Sequence, residues 1–203
     1  MNFERAAAAL RQSDPRFVPV IRRCPEPESF VRPFDSAFEP LARSIVYQQL
    51  SGKAAASIFG RFLDAFGKNG RPCSASLAGR DESHLREVGL SRQKARYILG
   101  LAEACREGRL PDRAKLEQMD DEAAIDALSA FKGIGRWTAE MVLMFWMGRP
   151  DVLPVDDLGI RKGVQVLDEL DDLPAPAAVL ERGEPWRPYR TLASWYLWRV
   201  QEL

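Results

Sequence analysis

The stretch Phe131-Lys132-Gly133-Ile134-Gly135-Arg136-Trp137-Thr138-Ala139 constrains this chain more than any other. It lies between two segments of helical periodicity and predicts two helices joined by a turn with two glycines. Glycine permits positive φ and a close approach of backbone. A helix starting at Arg136 opens with amides that have no intrahelical partner. Those amides and the positive end of the helix dipole suit a phosphate oxygen. On this reading Gly133, Gly135, Arg136 and Thr138 would hold a phosphate backbone, a contact that reads no base sequence. Taken alone, the same residues also describe a tight interhelical turn around a buried Ile134.

The rest of the chain reads as helix almost throughout, and no alternating strand pattern stands out, so the expected fold class is all-α. Residues 14–35 hold five prolines and predict an irregular arm. Ser36-Ala37-Phe38-Glu39 has the form of a capping box, with a helix to about Leu50. A second helix is expected from Ser51 to Phe66, broken by Asn69-Gly70-Arg71-Pro72. Short helices follow over 75–77 and 82–88, then a longer one over 92–106 capped by Ser91. The remaining helices are expected from about Asp120 to Ala130, over 136–147, after Asp157, over 177–181 and over 187–199.

Composition narrows the chemistry. An apolar fraction of 46% and a charged fraction of 29% over 203 residues describe a globular protein. The longest apolar run, Met141 to Met147, falls far short of the roughly 20 residues that cross a bilayer, so no membrane partner is expected. Cys24, Cys73 and Cys105 form neither a metal-ligand pattern nor a disulfide framework, and free thiols fit a reducing cytoplasm. With His84 as the single histidine, a Ser-His-Asp triad or a multi-histidine zinc site is disfavoured, and His84 itself reads as a surface residue. Net charge is zero, but residues 41–71 carry five basic side chains against Asp64 alone, which allows a basic face.

After the second helix come Leu153-Pro154-Val155-Asp156-Asp157-Leu158-Gly159-Ile160. Two adjacent carboxylates at a helix start allow one to cap the helix and the other to act.

Gly-Ile-Gly-Arg-Trp-Thr-Ala followed by Leu-Pro-Val-Asp-Asp resembles the helix–hairpin–helix base-excision DNA glycosylase superfamily, and within it the 3-methyladenine DNA glycosylase II branch. Gln48-Gln49-Leu50-Ser51, Leu90-Ser91-x-x-Lys94-Ala95 and Trp186-Arg187-Pro188-Tyr189 extend the likeness over about Phe38 to Trp198. The resemblance implies a single helical unit over 1–203 with two lobes and a cleft between them. A central lobe spans about 40–150 with the hairpin at 128–147, and 1–39 with 151–203 form the second. A β-rich N-terminal domain carried by some members is expected to be missing, which would shift or broaden the range of bases accepted.

The resemblance assigns the acting carboxylate to Asp157, three residues before Ile160, and leaves Asp156 as a cap or brace. It sets Trp137 where bifunctional members carry a Schiff-base lysine, which implies hydrolysis without strand cleavage. It places Trp137 and Trp195, with Tyr47, in the base pocket. Gln49 matches the side chain inserted into the gap left by the flipped base, and Leu50 follows it. Main-chain carbonyls of Ser129, Phe131 and Ile134 match those that hold a monovalent cation, Na+ or K+. Catalysis itself requires no cofactor. The four closely spaced cysteines of the iron–sulfur branch are absent.

The implied activity is removal of alkylated bases such as 3-methyladenine and 7-methylguanine from double-stranded DNA, leaving an abasic site. The agent is expected to be a cytoplasmic monomer, nucleoid-associated if bacterial. A glycosylase for oxidised or deaminated bases, and a helix–hairpin–helix DNA-binding protein without catalysis, stand as alternatives. A departing base leaves positive charge on the deoxyribose, which an ionised carboxylate stabilises. The same group can orient or deprotonate the attacking water. Cationic alkylated bases suit the electron-rich face of an indole.

Overall fold

The computed structural model describes residues 1–24, 27, 29 and 31–201. Twelve α-helices are found among them: α1 (Phe3–Ser13), α2 (Phe17–Arg23), α3 (Phe38–Tyr47), α4 (Gly52–Phe66), α5 (Glu82–Glu87), α6 (Arg92–Arg106), α7 (Arg113–Glu117), α8 (Asp121–Ser129), α9 (Arg136–Val142), α10 (Leu158–Leu167), α11 (Pro176–Arg182) and α12 (Arg190–Val200). The all-α expectation holds. Strands are confined to β1 (Gly67–Lys68) and β2 (Arg71–Pro72), an antiparallel pair in which Gly67 faces Pro72 and Lys68 faces Arg71. Asn69 and Gly70 turn that hairpin at φ 53° and 72°. Asn-Gly favours such a two-residue turn because both residues tolerate positive φ. None of the helices is long and apolar enough to cross a membrane among the described residues.

The chain forms two compact units, one of residues 33–142 and one of residues 1–32 with 143–203. In the first, α3 packs on α4, α6, α9 and β2, α5 lies against α6, and α8 against α9. Leu41, Ile45, Phe62, Ile98 and Leu128 are among its fully buried side chains. In the second, α10 and α12 form the main helix pair, α1 and α2 pack on α12, and α11 packs on α10. Phe17, Leu192, Tyr196 and Trp186 fill its core.

Several helix starts follow from their caps. Ser51, Ser91, Asp112 and Asp120 each accept a bond from the amide three residues on, which satisfies one otherwise orphaned donor. His84 completes a capping box with Asp81 at the start of α5, so the single histidine has a structural task at the surface. The box expected at Ser36 is only half formed. Glu39 reaches back to the amides of Asp35 and Ser36 at 2.9 and 3.2 Å. Ser36 turns its hydroxyl to the Glu39 carboxylate and caps no amide, because α3 begins after Ala37.

The expected irregular arm over 14–35 is corrected in part, since α2 occupies 17–23. Pro19 sits in its first turn, where no amide bond is lost, and Phe17, Val20 and Ile21 are buried. Pro25, Glu26, Glu28 and Phe30 of that arm lie outside the described residues, as do Glu202 and Leu203. Helix α9 ends at Val142, where expectation ran it to Met147. A π-helical turn over Leu143–Met147 takes over.

Candidate active site

Asp157 is the N-cap of α10. Its Oδ1 accepts the amide of Ile160 at 2.8 Å and the indole Nε1–H of Trp198 at 2.9 Å. Asp156 is expected to cap the helix or brace a neighbouring loop, leaving Asp157 to act. The capping role falls to Asp157 instead, because α10 starts at Leu158. Asp156 is exposed beside it. The half-buried Asp157 carboxylate is thus held at a helix N-terminus by donors from α10 and α12. Gly159 makes room for this arrangement. A Cβ there would lie 2.7 Å from Trp198 Cδ1 and 3.0 Å from Asp157 Oδ1.

In the other unit, α8 and α9 flank the turn around Gly133. Gly133 adopts φ 90°, and a Cβ on it would lie 2.3 Å from the Tyr97 ring. Gly135 has an ordinary φ and open space around it, so of the two glycines only Gly133 needs to be one. Ile134 is buried, and its amide bonds to the Phe131 carbonyl at 3.0 Å. Thr138 is 3% exposed, so its side chain is part of the packing. Any backbone contact from it falls to its main-chain amide. Arg136 also differs from expectation. Its guanidinium bonds to Glu122 at 2.8 Å and to Glu140 at 3.1 Å. The Glu122 bond holds its pKa above the usual arginine value.

The end of α3 is tied to this hairpin. Gln48 Nε2 donates to the Gly133 carbonyl at 2.9 Å. Lys94 Nζ donates to the carbonyls of Val46 and Gln48 at 2.8 and 2.6 Å, closing the C-terminus of α3 with a cation. Burial pushes the Lys94 pKa down. Gln49 follows at φ 56°, and both Gln49 and Leu50 are exposed, Leu50 at 39%. The proposed inserting segment therefore projects from a turn braced on the hairpin.

The aromatic candidates differ in kind. Trp137 is 45% exposed on the first turn of α9. Trp195 is 9% exposed, packs edge-on to Tyr196, and carries the Arg199 guanidinium 3.5 Å above its ring. It is thus part of its unit's core with one face covered, not the open plate expected of a pocket wall. Tyr47 is half-buried, with Arg43 4.2 Å over its ring and Phe59 at its edge. Beside the hairpin lies an open hollow of about 840 Å³ lined by Arg92, Arg96, Arg109 and Lys132, with Glu103. Three of those cations already have carboxylate partners, Glu82 for Arg92 and Arg96 and Glu107 for Arg109.

A family model described as "HhH-GPD superfamily base excision DNA repair protein" matches residues 42–188. The chain belongs to this superfamily. DNA-3-methyladenine glycosylase 1 of Schizosaccharomyces pombe is 39% identical over 166 residues, which cover 82% of this chain and 73% of that protein. The alkylbase DNA glycosidase-like protein mag2 of the same yeast is 30% identical over 203 residues, covering 100% of this chain and 95% of that one. Among solved structures, the S. pombe 3-methyladenine DNA glycosylase in complex with abasic DNA superposes with a TM-score of 0.83 at 34% identity, over 98% of this chain and 97% of that one.

Within the HhH-GPD frame, each unit gathers part of the expected set. Asp157 and Trp195 sit on α10 and α12 of one unit, and Tyr47, Gln49, Leu50, Trp137 and the hairpin lie in the other. Residues left without a role in the sequence reading prove central to the geometry. Trp198 bonds to Asp157, Gln48 and Tyr97 brace the hairpin, and Lys94 closes the end of α3. Lys94 stood within a recognised motif, but nothing in its spacing revealed that it closes another helix.

Proposed function

We propose that this protein is a monofunctional DNA glycosylase that hydrolyses the N-glycosidic bond of alkylated bases flipped from double-stranded DNA. The observation that carries this reading is the Asp157 carboxylate, fixed at the α10 N-terminus by Ile160 and Trp198 in a chain of the HhH-GPD superfamily. The relatives named as 3-methyladenine glycosylases support the substrate class.

As the bond from C1′ to the base nitrogen breaks, its electron pair leaves with the base and positive charge grows on the sugar. Asp157 stabilises that charge electrostatically. Water then bonds to C1′, and its proton passes to Asp157 or to solvent. A cationic alkylated base departs neutral, so the reaction needs little general acid. Flipping costs a few kcal/mol, and the exposed Trp137 offers an indole face to the extruded base. Gln49 and Leu50, projecting beyond α3, are the proposed fillers of the vacated stack. Gly133, Gly135 and the opening amides of α9 are the proposed holders of the DNA backbone.

The hairpin is also the proposed holder of a monovalent cation. The Ser129 hydroxyl oxygen is buried without a partner among the described residues. Main-chain carbonyls of Ser129, Phe131 and Ile134 would hold the ion, which would supply a fixed positive charge for binding a phosphate. With tryptophan at position 137, no amine stands there to form a Schiff base with the sugar.

The test is release of methylated bases from alkylated duplex DNA by the protein and by its Asp157→Asn variant. Asparagine caps helices as well as aspartate does, so the fold should survive while release falls roughly 100-fold or more. Binding to abasic-site DNA should persist. Undiminished release by the variant, or strand nicking at abasic sites by the parent protein, would overturn the reading.

A further inference from the structure

We infer that Trp198 is the positioning residue for Asp157, and that Gly159 is kept free of a side chain so that the two can meet. The inference rests on the proposed role of Asp157.

Two donors reach the same oxygen from different helices. The Ile160 amide belongs to the helix that Asp157 caps and pins the carboxylate to it. The Trp198 indole comes from α12 and donates to the same oxygen at 2.9 Å. Trp198 is itself held in place. Its ring stacks on Phe145, with centroids 6.1 Å apart and planes at 28°. Gln201 on the next turn bonds to the Gly159 carbonyl at 2.8 Å, which ties α12 to the same turn of α10.

The chemistry of the donor matters as much as its place. An indole N–H donates and cannot accept, so its partner must present an oxygen lone pair. It also brings no formal charge. A Cβ at position 159 would press on both members of the pair, on the Trp198 ring at 2.7 Å and on the Asp157 carboxylate at 3.0 Å.

Trp198→Phe keeps the stacked ring and removes the donor. Gly159→Ala keeps both side chains and drives them apart, although alanine is the better helix former. Each should lower the single-turnover excision rate constant on alkylated duplex DNA about tenfold, the loss expected for a hydrogen bond to a charged group. The DNA concentration at half-saturation and the reaction amplitude should stay unchanged. A purely structural role would instead reduce the amplitude and melting temperature at an unchanged rate constant, and that result overturns the inference. If Trp198→Phe does not fold, Gly159→Ala decides by the same two readouts. Asp157→Asn runs beside them. If it keeps the wild-type rate, the role of Asp157 itself falls, and the inference with it. If it loses the rate while the other two variants keep it, only the role of Trp198 falls.

Discussion

At the scale of single residues, the two glycines of the hairpin look alike in the sequence and differ in the structure. Gly133 lies in the left-handed region with the Tyr97 ring where a side chain would go. Gly133→Ala should therefore cost roughly 1–3 kcal/mol in urea denaturation, the range for a non-glycine residue held in that region. Gly135→Ala meets nothing within 4 Å and should be close to neutral in the same measurement. The adjacent aspartates teach the same lesson. The family resemblance singled out Asp157, three residues before Ile160, but which of them capped α10 depended on where the helix began, and a one-residue difference there moves the cap.

At the scale of elements, helix starts were readable because caps are local. Ser51, Ser91 and Asp120 lie within three residues of the amides they satisfy. Helix α2 was hidden because prolines were read as breakers, although proline in a first turn breaks nothing. Helix pairing was not readable at all. Helices α10 and α12 approach closely at Gly163, where a Cβ would lie 2.2 Å from the Leu197 carbonyl oxygen. Backbone leaves no side chain to swing aside, so Gly163→Ala must separate the helices. Its expected cost is about 1–3 kcal/mol, as for overpacked cores, against a gain of up to about 1 kcal/mol in helix propensity. The net loss should appear as a lower thermal midpoint. Excision should fall too, since the Asp157–Trp198 bond spans the same helix pair.

At the scale of the whole molecule, the two ends of the chain build one unit together. Asp14, after α1, accepts bonds from Arg182 and from the Trp186 indole, the latter at 2.9 Å. Arg182 also bonds to Asp168 at 2.6 Å, as does Arg16. Burial raises the Asp168 pKa, but hydrogen bonds from Arg182 and Arg16 outweigh it and hold the carboxyl below its usual range. A depressed folded pKa stabilises the protein above about pH 4, where the unfolded aspartate is also ionised. That contribution is lost as pH falls through the folded value. Asp168→Asn should cost about 1–2 kcal/mol at neutral pH, as for loss of charge-assisted hydrogen bonds in a part-buried pair. The gap between variant and parent in denaturation free energy should close below about pH 4. A gap that stays constant into acid would rule out the ion pairs as its source.

Local sequence was sufficient for the helical class, most helix starts, the hairpin and the aspartate that marks the superfamily, because each depends on neighbours a few residues away. It could not supply the contacts that give those residues their geometry. Trp198 lies 41 positions from Asp157, and Gln48 lies 85 from Gly133. Such pairings arise when helices pack, and one hydrogen bond at long range leaves no periodic trace in the chain. The burial of Trp195 beneath Arg199 and the ties of Arg136 to two glutamates are of the same kind. The hairpin and its aspartate were written in sequence, and packing set which atoms hold them.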